Sequence, residues 1–334
     1  MASAAPVLEI RDLTVRYGAR LATWSVSLEV RAGEVLALVG ESGAGKSTVG
    51  RAVVRLLPEP GRIETGAIRL EGHDLLDLPQ DEMRRLRGAR IALVPQDPLA
   101  ALNPAFRIGL QATDALVVHR GLSRQAAAAE MAALLGRMGI PGPAEVMRCH
   151  PHELSGGLRQ RVLIAIAFSC APALVVADEP TTALDATTQA QILRLLAELQ
   201  AERGVATLFV THDLGVVAHL AHRVGVMYAG CLVEVAPTPA LFATPAHPYT
   251  RRLLAEVPRV DWPALGLDRA PLDGAMPALS GAPRACPFRE RCPERFAVCD
   301  EAMPALVAVA PDHLVACHAR AGAVAPRADA GSPG

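Results

Sequence analysis

Val35-Leu36-Ala37-Leu38-Val39-Gly40-Glu41-Ser42-Gly43-Ala44-Gly45-Lys46-Ser47-Thr48 is the stretch on which the fold turns. Its first five residues form a short apolar run, the pattern of a strand buried on both faces of a parallel sheet. Gly40 to Thr48 satisfy G-x-x-x-x-G-K-[ST], and a helix is expected over residues 48–57. The glycines let the backbone curl until several N–H groups point at phosphate oxygens. The helix N-terminus adds its partial positive charge. Lys46 reaches the outer phosphates as a compact ammonium, and the Ser47 hydroxyl is a Mg²⁺ ligand. Among 33 basic residues Lys46 is the only lysine. In a chain that otherwise uses arginine, that marks a position where a forked guanidinium does not serve.

Working outward, Leu174–Asp178 followed by Glu179 reads as a second buried strand ending in two carboxylates. Ligands bind where such strands end in α/β sheets, which sets this pair beside the loop. Asp178 is expected to hold the Mg²⁺ shell and Glu179 to polarise an attacking water as general base. Further strands are expected at 7–16, 28–30, 66–71, 90–95 and 206–210, and helices at 158–171 and 188–203. Alternating strands and helices predict an α/β domain with a mostly parallel sheet. Residues 98–150 break the alternation. Pro98 and Pro104 precede an Ala-rich helical stretch with Ser123 as N-cap, so this is read as a helical insertion. After about residue 235 prolines become dense and the chain reads as an irregular extension. Residues 321–334 read as a disordered tail.

Composition narrows the function classes. The chain has 334 residues, 51% hydrophobic and 20% charged, which excludes bulk disorder. Only 3% is aromatic and the net charge is −1, so neither base stacking nor a basic field provides for nucleic acid. The longest apolar stretch, residues 162–177, is interrupted by Pro172 and is too short to span a bilayer. The N-terminus has no signal-peptide pattern, and a cytoplasmic location is expected. The seven cysteines then read as thiols or metal ligands rather than disulfides.

Leu154-Ser155-Gly156-Gly157-Leu158-Arg159-Gln160-Arg161 narrows the reading further. Ser155, Gly156 and Gly157 precede a helix expected to start near Leu158, whose N-terminus makes a second anion site. With the loop and the Asp-Glu strand, this segment resembles the ATP-binding subunits of ABC transporters. The resemblance implies a P-loop NTPase cassette: a RecA-like parallel-sheet core, an antiparallel β subdomain and a helical subdomain, with a Pro- and Cys-rich C-terminal extension. It implies a cassette over residues 1–236, its helical subdomain at about 98–170, and an extension over 237–320. Tyr17 resembles the aromatic that stacks on adenine. Gln96 resembles the glutamine that senses Mg²⁺ and the membrane partner. Ala183-Leu184-Asp185 resembles the loop that crosses the dimer interface, and His212 the switch histidine on the γ-phosphate. The implied nucleotide set is Tyr17, Gly40, Glu41, Ser42, Gly43, Ala44, Gly45, Lys46, Ser47, Thr48, Gln96, Ser155, Gly156, Gly157, Asp178 and Asp185. Ser47, Gln96 and Asp178 would surround Mg²⁺, and Lys46, Gln96, Glu179 and His212 would carry hydrolysis of ATP. Two subunits sandwich two ATP molecules in this family.

The segments at 155–193 and 211–230, with His247-Pro248-Tyr249-Thr250, resemble the D-type subunit of oligopeptide, dipeptide and nickel permeases. Leu158, Cys231 and Trp24 depart from that pattern without removing a catalytic group. The resemblance implies a peptide importer, with a nickel or metallophore importer as the alternative. A soluble, non-transport ABC ATPase is a more distant one. The implied partners are a second ATPase subunit (an F-type paralogue or a second copy), two transmembrane permeases and an extracytoplasmic binding protein, with no nucleic acid. The chain would sit peripherally on the cytoplasmic face of the membrane.

Cys286-x5-Cys292-x6-Cys299-x17-Cys317 falls in the extension. Four thiolates suit an iron–sulfur cluster or tetrahedral zinc, and unligated thiols are the third reading. The resemblance implies a [4Fe–4S] cluster in some members. It would staple a segment too small to build its own core, and would lie outside the nucleotide site. Cys149, Cys170 and Cys231 stand apart. His150 and His152 are read as structural, and His313 and His318 as substitute ligands only if a cysteine fails.

Overall fold

The computed structural model of the chain describes residues 5–181, 184–256 and 274–321. Its strands are β1 (Leu8–Tyr17), β2 (Arg20–Val30), β3 (Val35–Val39), β4 (Gly61–Leu70), β5 (His73–Asp74), β6 (Ile91–Val94), β7 (Leu174–Asp178), β8 (Ala206–Val210), β9 (Arg223–Tyr228), β10 (Cys231–Pro237), β11 (Val307–Ala310) and β12 (His313–Val315). They form two sheets, ordered β2-β1-β4-β5 and β11-β12-β10-β9-β3-β8-β7-β6.

The larger sheet takes its central order from the uninterrupted apolar runs. Every residue of β3, β7 and β8 is buried, as for strands covered on both faces. β3 runs parallel to β8 and β9, and β7 runs parallel to β6 and β8. The smaller sheet is antiparallel; β1 pairs β2 through Leu8↔Val30 and β4 through Leu8↔Leu70. Its inner residues Leu8, Ile10, Val15, Val26 and Ile68 share a core with Leu36, Leu38 and Val176 of the larger sheet and with Val49 of the helix that follows β3.

Helix Lys46–Val53 begins two residues earlier than the sequence predicts because Gly45 caps it in the left-handed region at φ 100°. It ends sooner as well, where Arg55 turns left-handed at φ 52°. Helices Ile108–Arg120, Arg124–Arg137 and Gly156–Ser169 bury Ile108, Ala112, Leu116, Met131, Leu134, Val162 and Phe168 in one core. Ser123 caps the second of these, its Oγ accepting from Ala126 N–H at 3.2 Å. Among the described residues no helix is long and apolar enough to cross a membrane.

The extension departs from the sequence reading. It is not wholly irregular: β12 pairs antiparallel with β10 through Glu234↔Val315, and β11 pairs with β12. Nor does it need a core of its own. Tyr249, Leu253, Leu254, Cys286, Phe288 and Cys299 pack into one cluster with Ala37, Val39, Val226 and Tyr228 of the central sheet. The Phe288 ring meets Tyr228 edge-on at 5.1 Å and Tyr249 at 5.5 Å. Most of the tail reading, residues 322–334, lies outside the described residues, as does Ala183.

Candidate functional site

The phosphate loop leaves β3 at Gly40 and enters the helix at Lys46. Gly40 has φ 146°, and a Cβ there would stand 2.2 Å from Met227 O on β9. Gly45 has φ 100°, and its Cβ would stand 2.5 Å from Ala22 O on β2. Both clashes are with backbone, so only glycine lets the loop lie this close to the two sheets. Lys46 is 4% exposed, and its Nζ donates to Gly40 O at 2.8 Å and Glu41 O at 3.0 Å. Burial holds its proton affinity below that of an ordinary lysine, against the pull of Glu179, Asp178 and Glu41.

A cleft of about 660 Å³ opens over the loop. Its walls are Tyr17, Arg20 and Ala22 from the small sheet, Ser42, Gly43 and Gly45 to Thr48 from the loop, and Gln96, Glu179 and His212 opposite. The loop and the ends of β6, β7 and β8 are thus brought together, as the crevice rule for α/β sheets anticipates. Arg20 and Ala22 were not legible in the sequence; they follow Tyr17 across the β1–β2 turn and carry no spacing signal.

Asp178 ends β7 and is 2% exposed. Ser47 Oγ donates to its Oδ1 at 2.7 Å, and Arg51 Nε lies 3.7 Å from Oδ2. Burial raises its carboxyl above the usual range, while the Ser47 hydrogen bond and Arg51 oppose the rise. Arg51 also escaped the sequence reading, although a signal existed: it lies four residues after Ser47, on the same face of the helix. Mg²⁺ keeps one or two protein carboxylates and takes its remaining ligands from phosphate and water. The juxtaposed Ser47 hydroxyl and Asp178 carboxylate fit that demand.

Glu179, the next residue, turns left-handed at φ 47°. A non-glycine residue there costs about 1 kcal/mol or more, and such strain persists where surrounding structure fixes it. Glu179 N–H donates to Val210 O at 2.9 Å, which anchors the turn to the end of β8. Gln96 Nε2 donates to Glu179 Oε2 at 3.1 Å, and His212 Nδ1 lies 3.4 Å from Oε1. Three side chains from three loops meet at one carboxylate. His212 is followed by Asp213, whose Oδ1 accepts from Gly215 N–H and Val216 N–H and so caps the next helix.

Ser155, Gly156, Gly157 and Asp185 are not brought to this cleft; none is among its lining residues. Ser155 caps helix Gly156–Ser169, its Oγ accepting from Leu158 N–H at 3.4 Å, so the helix opens at Gly156 rather than near Leu158. Gly157 lies against helix Ala186–Arg203, where a Cβ would stand 2.7 Å from Thr188 Cγ2. Asp185 caps that helix and accepts from Thr188 N–H at 2.9 Å, a bond that holds its carboxyl below the usual range. The phosphate loop and the Ser-Gly-Gly helix start are therefore two separate features of the chain.

In the extension, Cys286 N–H donates to Cys299 O at 3.0 Å. Burial pushes the thiols of Cys286 and Cys317 up, and that of Cys292 up to about 11, with the neighbouring thiols adding to each rise. Cys286 and Cys299 are thus joined through the backbone. Yet among the described residues no three His, Cys, Asp or Glu side chains are gathered closely enough to hold a metal ion. The two histidines weighed as substitutes are engaged elsewhere. His313 Nε2 is 2.7 Å from the buried Glu234 Oε1, and His318 Nε2 is 2.9 Å from Ala302 O. His150 and His152 stack at 5.6 Å, and His150 closes a capping box with Glu153.

Comparison with known proteins gives the same picture. Residues 24–182 match the family described as ABC transporter, and residues 233–299 match the family described as oligopeptide/dipeptide transporter, C-terminal region. The dipeptide transport ATP-binding protein DppD of Bacillus subtilis is 44% identical over 316 residues, covering 93% of this chain and 94% of that protein. The oligopeptide transport ATP-binding protein OppD of Salmonella typhimurium is 43% identical over 315 residues, covering 93% of each. Among solved structures, the dimeric post-hydrolysis state of the ATP-binding cassette MJ0796 bound to ADP and Pi superposes with a TM-score of 0.62 at 27% identity. It covers 69% of this chain and 98% of that one.

Proposed function

The chain belongs to the ATP-binding subunits of ABC transporters, in the branch with the oligopeptide/dipeptide C-terminal region, and from that membership we propose that it hydrolyses ATP to drive uptake of short peptides. The observation that carries the chemistry is the meeting of Gln96, Glu179 and His212 over the phosphate loop. Tyr17 is at the cleft wall where a base would stack, and Lys46 with the loop N–H groups binds the phosphates. Ser47, Asp178 and Gln96 would hold Mg²⁺, which would supply charge neutralisation of the triphosphate. Glu179 is the general base, oriented by His212 and Gln96.

The outlying position of Ser155, Gly156, Gly157 and Asp185 supports a two-subunit site. A Ser-Gly-Gly helix start that cannot reach its own cleft is suited to close over the nucleotide of a partner. The partner would be an F-type paralogue or a second copy, docked with two transmembrane permeases and served by an extracytoplasmic binding protein. The chain would then act as a peripheral protein on the cytoplasmic face of the membrane. The reading takes the chain as a cassette over 1–236, with its helical subdomain at about 98–170, and an extension over 237–320. The test is uptake of a labelled dipeptide in cells lacking this chain, restored by the wild-type chain and not by the Glu179→Gln variant. Loss of nickel uptake with peptide uptake intact would assign the nickel alternative instead.

The reading of Cys286, Cys292, Cys299 and Cys317 as ligands of a [4Fe–4S] cluster, with zinc as the alternative, rests on ligand chemistry alone, because no three of the described side chains are gathered closely enough to hold a metal ion. The expected result is brown protein after anaerobic purification, containing iron and acid-labile sulfide, with each Cys→Ser variant at these positions reduced. Colourless protein with one zinc per chain selects zinc, and metal-free protein with an intact extension selects plain thiols.

A further inference from the structure

Glu41, the second residue of the phosphate loop, is absent from the cleft wall. Its side chain engages the extension instead. Arg291 Nη1 donates to Glu41 Oε1 at 3.0 Å and to Oε2 at 3.2 Å, and Nη2 donates to Oε2 at 3.2 Å. The Arg291 side chain is only 7% exposed, and its guanidinium carbon lies 5.6 Å from the centre of the Tyr228 ring. On the main chain, Glu41 N–H donates to the hydroxyl of the fully buried Tyr249 at 2.9 Å. Glu41 O accepts from Lys46 Nζ. One loop residue is therefore fixed by two residues of the extension and by the phosphate-binding lysine itself. The same extension also meets β1 and β2, whose Tyr17, Arg20 and Ala22 line the cleft: Leu21 N–H donates to Leu279 O at 2.7 Å and Arg16 Nη1 donates to Ser280 O at 2.9 Å.

The motif leaves its second position free, and an acidic residue there needs an explanation. A carboxylate beside a triphosphate repels it, and this one is close enough to act on the charge of Lys46. A two-pronged guanidinium held under protein cancels that charge and turns the carboxylate away from the phosphates. We infer that Arg291 and Tyr249 are positioning residues for nucleotide binding: the extension reaches back to neutralise Glu41 and fix its peptide, so that the loop meets ATP already shaped. The inference rests on the ATPase reading above. None of the four cysteines lines the cleft, although Arg291 directly precedes Cys292.

The test is equilibrium binding of a fluorescent ATP analogue with Mg²⁺ to the full-length chain, beside unfolding midpoints without nucleotide. Arg291→Ala is expected to weaken binding by about tenfold or more, the loss of a charge-assisted pair. Adding Glu41→Gln to that variant is expected to recover most of the loss, because the uncancelled carboxylate is then gone. A merely structural role for Arg291 would lower the midpoint and leave no such rescue. Wild-type affinity in Arg291→Ala, or a double variant as weak as the single, would overturn the inference. Should Arg291→Ala fail to fold, Arg291→Gln keeps the bulk and a donor without the charge and carries the same expectation. Saturable binding by the wild-type chain, lost in Lys46→Ala, holds the ATPase reading apart from these outcomes; its absence would sink that reading instead.

Discussion

Glu179→Gln is expected to bind ATP with near wild-type affinity and to lose nearly all turnover, by about 10²–10⁴-fold, the usual contribution of a positioned general base. Glu179 follows the buried end of β7 in a left-handed turn, and its N–H is tied to Val210 O on β8. That turn lifts its carboxylate off the sheet and over the loop, where Gln96 and His212 meet it. The amide is nearly isosteric and still accepts from Gln96, so the cleft keeps its shape. What disappears is the ability to take a proton from water. Asp178, one residue earlier, cannot substitute, because its Oδ1 is already engaged by Ser47 and it is 2% exposed. The measurement is phosphate release at saturating MgATP, with nucleotide affinity determined in parallel. A loss of affinity equal to the loss of rate would move Glu179 from base to ligand.

The parts of this site that were legible in the sequence are those whose chemistry is local. A strand, a glycine turn, a lysine and a helix lie within fourteen successive residues, Val35 to Thr48, and the covalent chain alone holds them together. The end of β7 was legible for the same reason, since an apolar run followed by two acids specifies both the strand and its exit. What spacing could not give was contact across the fold. Glu41 and Arg291 are 250 residues apart, and neither side of that pair carries a local pattern. Strands β11 and β12 hid for a different reason. They have four and three residues, set among prolines, and become strands because β10 presents an edge for them to join. The core beneath the cysteine segment was hidden for a related reason: Phe288 and Cys299 share it with Tyr228 of the central sheet, far off in the sequence.

Lys46→Arg is expected to fold normally and to lose MgATP affinity by about 10–100-fold, although the charge is kept. The loss corresponds to one or two charge-assisted hydrogen bonds. Lys46 Nζ lies under the loop, 2.8 Å from Gly40 O and 3.0 Å from Glu41 O, with its stem buried. A single tetrahedral ammonium can hold two carbonyls and still direct a third N–H to a phosphate oxygen. A planar guanidinium is larger and cannot do so from the same point. Room for it would have to come from Gly40 or Gly45, and both are pressed against backbone, on Met227 O and Ala22 O. The guanidinium must therefore swing outward into the cleft, where it occupies the space of the phosphates it should bind. Titration of the fluorescent nucleotide against both proteins, with unfolding midpoints to verify the fold, reads the effect directly. Equal affinities would show that any cation serves at this position, and that its standing as the single lysine among 33 basic residues carries no functional meaning.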